Sequence, residues 1–185
     1  MQKERIYVCH TFYHVYVTCL KELNLPKERR GRASLVLSRM SNNFGNLKER
    51  AEQSGLFEAV YWFDEKPFSF FDELTELKKD TGSLPGNLRN RMRFCRRLGD
   101  LEAPYVPVDF REYRDIYVFC DSDPIGYYLS RKRIRYHAVE DGLDCIRYYD
   151  TARYDNRGHF RLKAAMAALG LIFIQNGYGK YCIDM

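Results

Sequence analysis

The sequence predicts an α/β protein built on a Rossmann-like, doubly wound parallel sheet. Short runs with strand chemistry alternate with segments of helical periodicity, and those runs are apolar at consecutive positions rather than at every second one. Across 185 residues, 45% hydrophobic composition is enough for one core. Strands buried on both faces read as continuous apolar runs, and alternation with helices covers a parallel sheet on both sides.

The first strand reads Arg5 to Cys9, and Phe12 to Leu23 follows as a helix. Thr11 stands at its N-cap position, and Phe12, Val15, Tyr16, Cys19, Leu20 and Leu23 recur at helical spacing. Ala33 to Leu37 is a buried second strand, and Ser41 to Asn46 forms a loop. Leu47 to Ser54 is a short helix stopped by Gly55, and Glu58 to Phe63 is a third strand. From Lys66 to Pro107 the chain reads as an excursion, with helices at Phe71 to Lys79 and Leu88 to Leu98 separated by Thr81 to Gly86. Alternation returns with the strand Asp115 to Cys120, the helix Ile125 to Arg131 and the strand Tyr136 to Val139. A helix at Phe160 to Leu169 follows. Residues 1–170 are assigned to one domain and 171–185 to the start of a hinge or crossover.

In such sheets ligands bind beyond the carboxyl ends of the strands. That rule selects His10 and Thr11, the loop Ser38 to Gly45 with Asn43, then Asp121 and Asp123, and finally Glu140-Asp141-Gly142. Each has two readings. His10 is placed to bond a ligand or to bond backbone, and Thr11 to touch ligand or cap its helix. Asp123-Pro124 offers a carboxylate or an ordinary helix start. Glu140 and Asp141 are either a general base, since adjacent carboxylates raise each other's proton affinity, or a capping turn at Gly142.

Several classes are disfavoured. No G-x-G-x-x-G follows the first strand, and there is no Walker-type phosphate loop and no G-x-S-x-G nucleophile elbow. The six cysteines are scattered singly, without zinc-site spacing. His10 and His14 are four apart, but His10 belongs to the strand end, so no metal is expected. The charged start and the absence of a span of roughly 20 apolar residues point to a cytoplasmic protein without a leader. The net charge of +5 comes from basic clusters at 27–32, 89–97 and 131–135. They are solvated faces, or they meet nucleic acid, an anionic glycan, a nucleotide or the inner membrane face.

Three blocks add a resemblance: Tyr7 to Val15, Asp115 to Leu129, and Tyr136 to Gly142. In order and spacing they resemble the N-terminal half of bacterial sialyltransferases and related capsule or lipooligosaccharide transferases of glycosyltransferase family 52. The resemblance implies the acceptor-side domain of a GT-B arrangement and metal-independent, inverting chemistry. Asp141 would take the proton of a galactoside-type acceptor hydroxyl as it attacks CMP-sialic acid or another nucleotide sugar, with Glu140 in support. The family's second-domain His-Pro dipeptide does not occur in this chain. The expectation is therefore a donor half that is absent here, little activity from the chain alone, peripheral membrane association, pairing of chains through exposed tyrosines, and no nucleic-acid partner. The alternative is a basic, non-catalytic Rossmann-like module that binds nucleotide, nucleic acid or an anionic glycan.

Overall fold

A computed structural model describes residues 2–139, 158–175 and 177–185. Its centre is a five-stranded, all-parallel sheet of β1 (Lys3–Cys9), β2 (Ala33–Ser38), β3 (Phe57–Phe63), β4 (Tyr113–Val118) and β5 (His137–Ala138), in the order β3-β2-β1-β4-β5. The helices are α1 (Phe12–Leu23), α2 (Leu47–Gln53), α3 (Asp72–Leu77), α4 (Leu84–Glu102), α5 (Pro124–Lys132) and α6 (Phe160–Ala168). The α/β, Rossmann-like expectation therefore holds.

The central strand shows why the apolar run is continuous. Ile6 and Val8 join Val36, Ile116 and Val118 in a cluster closed by Ile125 and Leu129 of α5. Tyr7 and Cys9 face the other way, toward Leu35, Leu37, Val15 and Ala51. Alternate side chains leave on opposite faces, so a strand covered on both sides must be apolar at every position.

The α1 face differs from the periodic reading. Phe12, Tyr16, Leu20 and Leu23 are exposed, while His14, Val15, Thr18 and Glu22 are buried. The cause lies in β1, whose Arg5 is buried. Glu22 meets the Arg5 guanidinium through both carboxylate oxygens, at 3.0 Å each, and accepts the Tyr7 hydroxyl at 2.7 Å. A buried cation requires a partner, and that requirement turns the helix.

Two further boundaries move. α4 begins at Leu84, inside the expected loop, because Ser83 caps it by accepting the Gly86 amide and Pro85 fits the first turn. Gly99 then lets α4 lie against α5, since a Cβ there would stand 2.6 Å from the Tyr127 carbonyl oxygen. The tail packs as well. Ile172, Phe173 and Ile174 are buried with Cys95 and Tyr127, and Cys182 bridges to Tyr136 in parallel sense beside β5. Among the described residues, no helix is long and apolar enough to cross a membrane.

Candidate functional site

The strand order changes direction between β1 and β4. From β1 the chain moves outward to β2 and β3; from β4 it moves the other way to β5. At such a switch point the loops leaving neighbouring strands part and open a crevice at their carboxyl ends. His10 follows β1, Ser38 ends β2, Glu65 follows β3, and Cys120 to Asp123 follow β4.

These groups converge on Glu65, a carboxylate only 2% exposed. One oxygen lies 2.8 Å from His10 Nε2 and accepts the Ser38 hydroxyl at 2.6 Å; the other accepts the Ile125 amide at 2.8 Å. Glu65 thus ties three strand ends to the first turn of α5. Asp123 stands at the N-cap position of that helix without capping it, and its Oδ2 is 3.5 Å from His10 Nε2. Gly126 allows the turn, because a Cβ there would come within 1.9 Å of the Asp121 carbonyl oxygen.

A second acid lies nearby. Glu102, at the end of α4, is fully buried and accepts the Lys66 amide at 3.2 Å. Burial first, and then the charge of Glu65, push its carboxyl up to about 8. A carboxyl held in this way is protonated at neutral pH while Glu65 serves as the acceptor of the network.

His10, His14 and Cys120 each place one ligating atom within 4.8 Å of the other two. The geometry is open to a soft cation, but His14 Nδ1 already accepts the His10 backbone amide at 3.0 Å. A neutral imidazole has one lone pair, so the other ring nitrogen carries hydrogen. A metal taking His14 would have to break that bond or remove the last ring proton. The cluster is therefore read as a hydrogen-bonded one. The His14 ring also stacks on Phe119, with centroids 4.5 Å apart.

Of the residues singled out by sequence, the structure brings His10 and Asp123 together. Thr11 caps α1, its hydroxyl accepting the His14 amide at 3.2 Å. Asn43 closes a local turn by accepting the Gly45 amide at 3.2 Å, while its neighbour Asn42 reaches the His10 carbonyl at 2.7 Å. Asp121 is buried and holds the tail, accepting the Tyr136 hydroxyl at 2.9 Å and the Gly177 amide at 3.1 Å. Glu140, Asp141 and Gly142 lie outside the described residues. Sequence reasoning missed Glu65 and Glu102, and took Ser38 only as the start of a selected loop. For Glu65 the signal was present, since Asp64-Glu65 directly follows an apolar strand just as the selected segments do.

Beside this network two open cavities meet at Arg91, Ser122 and Tyr127, which line both. The smaller, about 340 Å³, reaches Asp123 and Phe68; the larger, about 690 Å³, runs between the starts of α4, α5 and α6. Both fall in the size range of small-molecule sites. No protein-family model matches this chain, and no curated protein is found to be similar to it.

Proposed function

We propose that this chain is the acceptor-side domain of an inverting glycosyltransferase of the sialyltransferase kind, acting in cell-surface glycan synthesis. The reading rests on the sequence blocks at 7–15, 115–129 and 136–142, and the observation that supports it most is the switch-point crevice. The strand order places β1, β4 and β5 side by side, so the loops after them share one edge of the sheet. His10 and Asp123 come from the first two loops. Val139, which follows β5, precedes Glu140-Asp141 in the chain.

In this reading Asp141 is the general base for an acceptor hydroxyl, and the His10–Glu65 pair orients a neighbouring sugar hydroxyl. Glu65 fixes the His10 ring by holding Nε2, which leaves the ring's direction determined before any acceptor arrives. The donor would be CMP-sialic acid or another nucleotide sugar, carried by a second domain, with no metal required.

The test is sugar transfer by the natural gene product that contains this chain, with CMP-sialic acid and a galactoside. Asp141→Ala is expected to lower kcat by about 10²-fold or more while leaving the thermal transition unchanged, as removal of a general base does. Transfer at near-normal rate by Asp141→Ala, or no transfer from any nucleotide sugar, would overturn the assignment.

A further inference from the structure

The larger cavity lies beside the His10–Glu65 network and has a lining of its own. Its wall contains the beginnings of three helices: Ser83 and Leu84 of α4, Ser122 ahead of α5, and Gly158 and His159 ahead of α6. These helices have 19, 9 and 9 residues, and none carries an acidic residue in its first turn. Helix N-termini bear partial positive charge, which first-turn acids ordinarily offset. Here that offset is missing at α4 and α6, whereas at α5 Asp123 stands at the N-cap position and Glu65 accepts the Ile125 amide.

Side chains add full charges in the same place. Arg91 lines the cavity, and its guanidinium donates only to neutral oxygens among the described residues, the Tyr127 hydroxyl and the Phe173 carbonyl, each at 3.3 Å. Lys163 lines the same wall, and Lys78 stands across the shared boundary in the smaller cavity. Burial, and then the charge of Arg91, lower the ammonium groups of both Lys78 and Lys163 below their usual range. The one carboxylate on the larger wall, Asp80, is exposed and turned aside, accepting the Asn87 amide at 2.7 Å and the Gly82 amide at 2.9 Å.

We propose that this cavity binds a phosphate monoester on a sugar-sized body. Converging cations and helix starts suit a compact dianion. Gln175, Ser122 and Tyr127 add an amide and hydroxyls suited to a polyhydroxylated ring, Leu84 and Leu88 add apolar wall, and about 690 Å³ exceeds what the phosphate alone would fill. The site goes beyond the transferase reading, because phosphate binding and sugar transfer can each be present without the other.

The experiment titrates the full chain with inorganic phosphate, glucose 6-phosphate and CMP, followed by phosphorus NMR or calorimetry. Phosphate esters are expected to bind more tightly than inorganic phosphate and to weaken as salt is raised. Lys163→Met and Arg91→Met should each cost about tenfold in affinity, whereas Lys27→Met, on an exposed turn, should cost nothing. Preference for glucose 6-phosphate assigns the phosphate to a sugar, and preference for CMP assigns it to a nucleotide. If Arg91→Met fails to fold, Lys163→Met decides alone. No binding up to about 10 mM, or binding indifferent to Lys163→Met, overturns the proposal.

Discussion

Glu65 and Glu102 are two buried carboxyls within reach of one another's field, and burial has given them different tasks. Glu65 accepts three donors from three parts of the fold, so removing it leaves a hydroxyl, an amide and an imidazole without their acceptor. Glu65→Leu should destabilise the protein by about 3 kcal/mol or more, measured by urea unfolding, because each buried donor left unmade costs roughly 1–3 kcal/mol. Glu102 behaves in the opposite sense. Folding raises its pKa from 4.5 to about 8, so the folded state holds the proton more tightly than the unfolded chain. Its stabilisation is complete below about pH 4.5 and is lost as pH rises through 8. Glu102→Gln, which keeps an acceptor for the Lys66 amide but cannot ionise, should flatten the fall in thermal midpoint between pH 5 and pH 9 seen in the unmodified protein. An equally steep fall in the variant would show that Glu102 is not its source. The role of Glu102 was not legible in the sequence. Glu102 ends a charged helix and looks like any solvated acid until the fold puts Glu65 beside it.

At the scale of the element, α1 is the instructive case. Its limits, Phe12 to Leu23 with Thr11 as cap, follow from spacing and cap chemistry and agree with the structure. Its orientation does not follow from apolar periodicity. The apolar stripe points outward because β1 contains Arg5, whose side chain is 3% exposed and needs Glu22. Two measurements separate the faces. Glu22→Leu should cost about 3–5 kcal/mol, since it removes the carboxylate that accepts two bonds of the buried Arg5 guanidinium and the Tyr7 hydroxyl. Tyr16→Ser and Leu20→Ser should each change stability by no more than about 0.5 kcal/mol, since both side chains are exposed. A large loss from Tyr16→Ser would mean that the stripe is buried. α4 teaches a similar lesson. Within the basic cluster at 89–97, Arg91 lies one turn from the buried Cys95 and two from Leu98. Only the meeting of α4 with α5 and the tail turns Arg91 toward a cavity.

For the whole molecule, the packing of the tail is the feature that sequence did not anticipate. Phe173 donates its amide to Cys95 Sγ at 3.4 Å, and the Tyr136, Ala138 and Ile183 amides exchange bonds between β5 and the tail. Burying Ile172, Phe173 and Ile174 is worth about 2 kcal/mol for each side chain. A chain shortened to residues 1–170 should therefore melt at markedly lower temperature, and its Cys95 thiol should become reactive. An unchanged melt would show that the tail is dispensable to the domain. The sequence by itself determined the alternation of strands and helices, their approximate limits and the parallel sheet, because these depend on local periodicity, caps and turns that neighbouring residues carry. It also determined which loops leave the carboxyl ends of β1, β2 and β4. What only the tertiary structure decided was which face each helix buries, how far the tail belongs to the core, and that His10, Ser38, Glu65 and Asp123 meet. Those outcomes depend on groups far apart in the chain, where the need to satisfy a buried charge or donor outweighs the local pattern.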